Sequence, residues 1–338
     1  MNKYSREFSK INSFCNLTLE ELRFNKKPDS LYNPINHILN VRGKGIRALL
    51  VCISYSILGG RLSNVKNLLL AIESFHSFSL IHDDIMDNAL LRRGKPTINN
   101  KWSNNQALLS GDALLMFSYS YLLELPFPKI KLISLIKYFN KTAIKICEGQ
   151  QLDFDMQQIN TVSLSDYLSM IDLKTSELIV FSLTAPYLLC QSNIDLNAIK
   201  EIGYNLGRLF QMQDDYLDLF GDQKKTGKIL GGDVIEGKKT FLYLVALENL
   251  RDTKKEQLIE LYNSSYHPTV KITNDEFNQN KLLRVIKIYQ SIHLKKIVSS
   301  EINSLGLSTQ KLIMQLNIDI EKKKLFIEFF ETILHRKL

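Results

Sequence analysis

Glycine and proline are scarce in this sequence, which has only 15 Gly and 7 Pro among 338 residues, roughly half of their usual share. Because both residues interrupt helices, their scarcity predicts long helices. The 45% hydrophobic and 23% charged residues are ordinary for a folded protein and exclude collagen-like, disordered and disulfide-scaffold chains. No internal repeat or low-complexity linker marks a boundary, so we expect a single domain over residues 1–338.

Long apolar runs are also missing. The most apolar stretch, residues 178–190, contains Ser182, Thr184 and Pro186 and is too short to span a bilayer. Residues 1–24 mix charged side chains with short apolar stretches and lack the apolar segment of a signal peptide. We therefore expect no membrane insertion and a cytoplasmic location.

Metal-binding patterns of cysteine and histidine are absent from the sequence as well. The four cysteines are far apart in the chain and the six histidines form no paired motif, so we expect reduced thiols and no zinc site. The net charge of +8 is spread over short clusters such as residues 322–324, without the interleaved aromatic residues of a nucleic-acid-binding surface. A small polyanionic substrate is the alternative explanation of the charge.

Apolar residues recur at helical spacing along the sequence, most clearly over residues 65–89, and no segment alternates like a strand. This pattern predicts an all-α fold. Gly59-Gly60 and residues 126–128 predict breaks between helices, and the candidate N-caps are Ser103, Ser163 and Ser308. The predicted helices cover residues 4–24, 30–41, 46–58, 65–89, 104–125, 129–158, 164–190, 195–220, 238–264, 281–303 and 308–335.

Residues 221–237 depart from the helical pattern, since five of the fifteen glycines lie there among lysines and aspartates. A mobile surface loop explains this composition. A loop that closes over phosphate groups explains it equally well.

Two clusters of aspartates share one spacing, with members at positions i, i+1 and i+4, and each lies at the end of a predicted helix. In each cluster the first and last residues, Asp83 and Asp87 or Asp214 and Asp218, share a helix face. Half-buried carboxylates of like charge repel each other unless a cation lies between them. Mg²⁺ held by carboxylates, water and substrate phosphates would relieve that repulsion.

Basic residues that can hold the anion are close to the first cluster in sequence. Residues 92–95 read Arg-Arg-Gly-Lys and residues 42–47 read Arg-Gly-Lys-Gly-Ile-Arg, and both side-chain types bind phosphate oxygens. Either basic cluster alone is typical of a solvated surface. Together with the two aspartate clusters and the Gly/Lys loop, they predict a magnesium-diphosphate site.

These motifs resemble those of the trans-isoprenyl diphosphate synthases, or polyprenyl synthetases, over nearly the whole chain. Residues 83–87 with Arg92-Arg93-Gly94 resemble the family's first aspartate-rich motif, and residues 211–218 resemble the second. The resemblance implies a single-domain helical bundle around a central cavity, and head-to-tail transfer of an allylic group to isopentenyl diphosphate. The further matches are His76, Gly149-Gln150, Lys174-Thr175, Thr226-Gly227-Lys228, Asp233 and Lys238-Lys239-Thr240.

The resemblance also implies roles for individual residues. The implied ligands of three Mg²⁺ ions are Asp83, Asp87 and Asp214, supported by Asp84, Asp215 and Asp218. The implied contacts of the allylic diphosphate are Arg92, Lys174, Lys228 and Lys238. The implied contacts of isopentenyl diphosphate are Lys44, Arg47, His76 and Arg93. Thr175 and Gln211 would stabilise the allylic cation, so the expected catalytic residues are Asp83, Asp87, Arg92, Lys174, Thr175, Gln211, Asp214 and Lys228.

One motif departs from the family pattern, which reads Gly-Gly-Lys-x-x-Arg-Pro where this chain has residues 42–48. Arg42 replaces the first glycine and Ala48 replaces the proline, while the Lys-x-x-Arg spacing is kept. This departure concerns the geometry of the loop, and through it the affinity for isopentenyl diphosphate.

Product length and oligomeric state rest on the resemblance alone. In the family a bulky residue five positions before the first aspartate limits the chain, and here that residue is Phe78, between Phe75 and Ser79. An ideal helix places Phe78 about 140° around from Asp83, so spacing does not put it in the pocket. We expect the C20 product geranylgeranyl diphosphate, with C15 farnesyl diphosphate as the alternative, and a homodimer formed through helices in residues 104–158.

Three other functions compete with this interpretation. A class I terpene cyclase would carry an Asn/Ser/Glu motif in place of the second aspartate cluster and would lack Lys44, Arg47 and Arg93. A non-catalytic partner subunit would have lost some of the aspartates or arginines. A basic helical nucleic-acid-binding protein is opposed by the acidic clusters.

Overall fold

A computed structural model describes residues 5–41, 43–159, 161–190, 194–221, 230–263 and 276–334, most of which are helical. The all-α prediction is confirmed. The first elements are α1 (Arg6–Glu20), α2 (Asp29–Asn40), α3 (Ile46–Ile57), α4 (Lys66–Met86), β1 (Leu91–Arg92), β2 (Lys95–Pro96), α5 (Ile98–Lys101), α6 (Asn104–Leu123) and α7 (Lys129–Gln158). They are followed by α8 (Leu164–Ile171), α9 (Glu177–Leu189), α10 (Leu196–Phe220), α11 (Gly232–Glu236), α12 (Phe241–Asn249), α13 (Asp252–Asn263), α14 (Glu276–Ser291), α15 (Leu294–Gln315) and α16 (Ile320–Leu334).

The chain forms two compact units. The first unit comprises Met1–Ala143, Leu178–Glu201 and Ile313–Glu331. The second comprises Ile144–Glu177, Ile202–Leu312 and Thr332–Leu338. The two aspartate clusters therefore belong to different units, the first to unit one and the second to unit two.

The core of the first unit is built on α3 and α4, most of whose residues are buried. Every residue from Ala48 to Tyr55 is buried, and each large apolar side chain contributes about 1.5–3 kcal/mol on burial. Helix α4 packs along α6. Gly111 of α6 permits that approach, because a Cβ there would overlap the ring of His82.

Tyrosines form part of the core of the second unit. The rings of Tyr243 and Tyr262 lie 4.2 Å apart between centroids, and the hydroxyls of Tyr262 and Tyr289 lie 2.8 Å apart. Since a buried phenol needs a hydrogen-bond partner, this pair satisfies two polar groups at once.

Most predicted helix boundaries agree with the structure. The helices predicted at 30–41, 46–58, 104–125, 129–158 and 195–220 match within two residues. Ser103 accepts a hydrogen bond from the Gln106 amide as the N-cap of α6, and Ser163 forms a capping box with Asp166 at α8. In the described ranges, no helix combines the length and apolarity needed to cross a membrane.

Several boundaries differ from the prediction. The helix predicted at 164–190 contains a π-helical turn at Asp172–Ser176, and the one predicted at 238–264 divides before Asp252, which has φ +48°. The predicted break before Ser308 is wrong, because Ser308 lies inside α15 with its hydroxyl bonded to the Leu305 carbonyl. The chain instead turns at His293, with φ +54°, and again after Gln315.

Two features fall in segments predicted as loops. Residues 91–96 form a two-stranded hairpin, whose two-residue strands are too short for alternation to reveal them. Gly232–Glu236 form the short helix α11 between Gly231 and Gly237, which have φ +75° and +72°. The rest of the predicted 221–237 loop, residues 222–229, lies outside the described residues.

Candidate active site

The first aspartate cluster ends helix α4 and divides into outward and inward carboxylates. Asp87 is exposed and Asp83 is half-buried, whereas Asp84 is only 3% exposed. Successive helix residues are rotated by about 100°. Asp83 and Asp87 therefore share one face of α4, and Asp84 points towards the interior of the protein. The Asp84 carboxylate accepts hydrogen bonds from Arg92 Nε at 2.9 Å and from Nη2 at 2.7 Å.

The Asp84–Arg92 pair is partly buried, and each charge depends on the other. Burial raises the pKa of Asp84 above its ordinary value, while the hydrogen bonds from Arg92 oppose that rise. For Arg92, burial alone lowers the pKa, but the Asp84 carboxylate outweighs it and the net shift is upward. The pair therefore ties strand β1 to the end of α4.

Arg93 is held in the turn of the hairpin. Arg93 and Gly94 have φ +51° and +74°, the backbone typical of a two-residue type I′ turn. Arg93 Nη1 donates to the Val41 carbonyl at 2.7 Å, which offsets the strain of a left-handed arginine. Its guanidinium packs on Gly43, where a Cβ would overlap it, so the first glycine of the basic loop makes room for Arg93.

The basic loop leads into α3 and places Arg47 against α4. Arg47 Nη1 lies 3.1 Å from His76 Nε2. Because a guanidinium only donates, Nε2 must accept and the imidazole proton resides on Nδ1. Burial, and then the charges of Arg47, Arg93 and Arg92, lower the pKa of His76 well below its ordinary value, so the ring is neutral. Lys44 is exposed, and Arg42 lies outside the described residues.

Ala48 makes a hydrogen bond that the family's proline would lack. Its backbone N–H lies 3.3 Å from Oε1 of Glu73, a buried residue of α4. The start of α3 is therefore bound to α4 through Glu73, one turn before His76. The departure at position 48 leaves the Lys-x-x-Arg segment anchored.

The second aspartate cluster repeats the pattern of the first. Asp214 is exposed, Asp218 is half-buried, and Asp215 is buried. Asp215 accepts hydrogen bonds from three donors, Tyr167 Oη at 2.6 Å, Gln211 Nε2 at 2.9 Å and the Phe241 amide at 2.9 Å. Both carboxylate oxygens of Asp215 are thus engaged by the protein, an arrangement that differs from the metal-ligand role predicted for it.

Burial raises the pKa of Asp215 to about 7, and the Asp233 carboxylate adds to the rise. Asp218 faces the same segment, since its Oδ2 accepts from the Asp233 amide at 3.1 Å and its carbonyl accepts from the Gly231 amide. The end of α10 is therefore bonded to the start of α11.

Lys174 and Thr175 lie in the π-helical turn at 172–176. Lys174 Nζ is 2.5 Å from Asp153 Oδ2 of α7, and Thr175 Oγ1 donates to Gln211 Oε1 at 3.3 Å. Irregular turns of this kind are frequent at functional sites. This turn places the Thr175 hydroxyl against Gln211 of α10 and the Lys174 ammonium against Asp153 of α7.

The π-helical turn is fixed from both sides. Gly149 of α7 and Gly207 of α10 each face it so closely that a Cβ would overlap Lys174 or Ser176. Arg208 binds Asp172 through two hydrogen bonds, of 2.7 and 2.5 Å. Close packing against the turn therefore explains the glycine of the predicted Gly149-Gln150 match.

The remaining predicted site residues divide as follows. Lys238 pairs with Glu236 at 2.9 Å, just after α11, whereas Lys228 lies outside the described residues. The Phe78 ring contacts Phe75 and His82, with centroids 5.4 and 4.7 Å away. Ser79 donates to the His76 carbonyl. Within the described ranges, no three His, Cys, Asp or Glu side chains converge as a complete metal site.

Several residues of the site were not identified from the sequence. Asp153 lies one turn after Gly149, and Arg208 lies one turn before Gln211, so helical spacing from the predicted residues was the available signal. Tyr167 and Lys281 carry no local signal, because their contacts are distant in sequence.

Lys281 supports α11 from α14 and should make stability depend on pH. Its buried Nζ lies 3.2 Å from the Ile235 carbonyl oxygen, and burial lowers its pKa from 10.5 to about 8. Between these values the unfolded chain binds the proton and the folded protein does not, so this group makes stability rise with pH. From pH 7 to 9.5 we expect wild type to gain about 2 kcal/mol relative to Lys281→Met, measured by urea unfolding. An equal pH response in both proteins would contradict the shift.

The aspartate-rich ends of α4 and α10, and the arginine and lysine side chains held by ion pairs such as Arg92–Asp84 and Lys174–Asp153, are features of a prenyltransferase that acts on diphosphates. The chain belongs to the polyprenyl synthetase family, which matches residues 28–275. It is 37% identical to a short chain isoprenyl diphosphate synthase of Methanocaldococcus jannaschii, over 72% of this chain and 74% of that protein. It is 32% identical to a geranylgeranyl diphosphate synthase of Methanosarcina mazei, over 72% and 75% of the two chains.

Solved structures agree with this assignment. A crystal structure of a geranylgeranyl pyrophosphate synthase superposes with a TM-score of 0.88 at 35% identity, covering 98% of this chain and 99% of that one. A geranylgeranyl pyrophosphate synthetase from Pyrococcus horikoshii gives a TM-score of 0.86 at 27% identity, with 98% of each chain covered.

Proposed function

We propose that the protein condenses isopentenyl diphosphate with dimethylallyl, geranyl or farnesyl diphosphate and releases geranylgeranyl diphosphate, with farnesyl diphosphate as the alternative product. The observation that carries this proposal is the shared geometry of the two clusters: in each, the first and last carboxylates are exposed or half-buried and the middle one is buried. The names of the relatives support a short-chain product but include geranylfarnesyl diphosphate synthases, so product length needs its own test.

The outward carboxylates suit Mg²⁺, which binds through one or two carboxylates and keeps waters and phosphate oxygens as its other ligands. We assign Asp83 and Asp87, and Asp214 and Asp218, to three Mg²⁺ ions, and give Asp84 and Asp215 a positioning role. When bound, the ions supply Lewis-acid stabilisation of the departing diphosphate.

The cationic side chains hold the two diphosphates. Arg92, oriented by Asp84, and Lys174, oriented by Asp153, hold the allylic diphosphate with Lys238 and Lys228. The neutral His76 offers Nδ1–H to isopentenyl diphosphate, beside the charges of Lys44, Arg47 and Arg93. Charges fixed before the reaction stabilise a leaving group without reorganising.

The allylic cation is stabilised by oxygen atoms. Thr175 Oγ1 and Gln211 Oε1 present the negative ends of their dipoles, and the isopentenyl double bond attacks the cation. The released diphosphate takes the proton that the new prenyl chain loses, so no side chain of the protein is needed as a base.

The direct test is product analysis. Purified protein is incubated with Mg²⁺, labelled isopentenyl diphosphate and each allylic diphosphate in turn, and the dephosphorylated alcohols are sized. We expect one dominant alcohol, C20 or C15. Condensation with none of the starters would contradict the proposal. Hydrocarbon products would then favour a cyclase, and inertness with every substrate a non-catalytic subunit.

Phe78→Ala should lengthen the product. The Phe78 ring packs against Phe75 and His82. If this ring limits the space for the growing prenyl chain, its removal should give products longer by at least one C5 unit in the same assay. Phe127→Ala, another half-buried aromatic of the first unit, is the matched control and should leave the product unchanged. An unchanged distribution of product lengths in Phe78→Ala would show that Phe78 does not limit product length.

A second copy of the chain is proposed to cover the outer face of α6 and the start of α7. Leu109, Met116 and Leu123 are exposed at seven-residue intervals, and Ile130 and Ile133 are exposed on α7. Regular apolar spacing of this kind is typical of a helix seam. Light scattering should give a dimer for wild type and a monomer for Met116→Glu, while Leu307→Glu, at another exposed apolar position, should stay dimeric. A monomeric wild type would contradict this proposal.

A further inference from the structure

The orientation of the Gln211 amide decides whether it helps or opposes the reaction. A carboxamide presents an oxygen acceptor on one side and N–H donors on the other. Only the oxygen side stabilises a developing cation, whereas the N–H side repels it. An amide free to turn over would spend part of its time in the wrong orientation.

In this structure the amide is held by contacts at both ends. Gln211 Nε2 donates to Asp215 Oδ1 at 2.9 Å, and Oε1 accepts from Thr175 Oγ1 at 3.3 Å. The carboxylate fixes the nitrogen end, and this leaves the oxygen on the side of Thr175.

Asp215 is in turn fixed through its other oxygen. Oδ2 accepts from the Phe241 amide at 2.9 Å and from Tyr167 Oη at 2.6 Å. Tyr167 is 3% exposed and comes from α8. With Oδ2 engaged by two donors, the carboxylate cannot rotate and Oδ1 stays directed at Gln211.

We propose that Tyr167 is a positioning residue for prenyl transfer, which acts through Asp215 to keep the Gln211 oxygen directed at the allylic cation. This inference rests on the proposed function. Without the phenol hydroxyl, the carboxylate gains rotational freedom and the amide can turn its N–H groups towards the cation. The barrier to ionisation then rises, while the groups that bind the two diphosphates are unchanged.

The test is a double-mutant cycle on Tyr167→Phe and Gln211→Leu. We expect Tyr167→Phe to lower kcat about tenfold, the effect of one lost hydrogen bond, with KM for both substrates within twofold. In the Gln211→Leu background, Tyr167→Phe should have no further effect on kcat, because there is no amide left to orient. Equal losses in the two backgrounds, or an unchanged kcat in Tyr167→Phe, would overturn the inference.

A second variant covers the case in which Tyr167→Phe folds poorly. Asp215→Asn should lower kcat more than Tyr167→Phe, and leave the Mg²⁺ concentration for half-maximal activity unchanged. A shifted Mg²⁺ requirement would make Asp215 a metal ligand and overturn the inference. Wild type in the same assay separates the two proposals: an inactive wild type contradicts the function, and an active one with kcat unchanged in either variant contradicts only the role of Tyr167.

Discussion

An Arg92→Met variant is expected to lose about 3–5 kcal/mol of its free energy of unfolding, because it leaves a buried carboxylate without its ion-pair partner. Asp84 is 3% exposed, and both of its oxygens accept from the guanidinium. The same change removes the link between strand β1 and α4 through Asp84, and it removes the side chain that we propose as a contact of the allylic diphosphate. Catalytic activity should therefore fall with stability.

Urea denaturation measures the first effect, and a double-mutant cycle identifies its cause. If the unpaired charge is responsible, Asp84→Asn should recover part of the loss in the Arg92→Met background. Lys324→Met is the control, because it breaks an exposed pair with Glu321 at 2.7 Å and should cost less than about 1 kcal/mol. A loss in Arg92→Met no larger than in this control would show that the pair contributes little.

The second large effect concerns the outward carboxylates. Asp83→Asn and Asp214→Asn should each lower kcat by at least about 10²- to 10³-fold, the usual effect of losing one electrostatic contact to the reacting group. Neither carboxylate is buried, and each shares a helix face with another aspartate. Substitutions at positions that are not buried usually change stability by less than about 0.5 kcal/mol, so both variants should melt close to wild type.

Steady-state kinetics over a range of Mg²⁺ concentrations, with thermal melts of the same samples, checks this prediction. Both variants should need more Mg²⁺ for the activity that remains. Asp319→Asn, an exposed aspartate between α15 and α16, is the matched control and should behave as wild type. Full activity in either site variant would remove that residue from the metal set.

Periodicity in the sequence was sufficient to locate α4, α7 and α10, because an apolar stripe depends only on spacing. The i, i+4 rule likewise paired Asp83 with Asp87. The sequence could not tell that Asp84 and Asp215 turn inwards, since their partners Arg92 and Tyr167 come from other elements. A helix pattern states which residues share a face, but not what that face meets.

The misplaced break near residue 303 has a similar cause. Ser308 has the residue type of an N-cap, but its hydroxyl bonds within the helix, and no signal at His293 marks the true turn. The two-residue strands of the hairpin are defined by Arg93 and Gly94 and by their anchor at Val41. Contacts between residues distant in sequence contribute to both features, and local propensity does not encode such contacts.

The hydrogen bond from Ala48 to Glu73 has a consequence for consensus engineering. Restoring the proline that the family carries at this position looks safe, because the first turn of a helix tolerates proline and consensus changes often stabilise. Here the change would remove a donor from a buried carboxylate. The effect of a proline at position 48 therefore depends on the residue at position 73, whose carboxylate accepts the hydrogen bond that proline cannot donate.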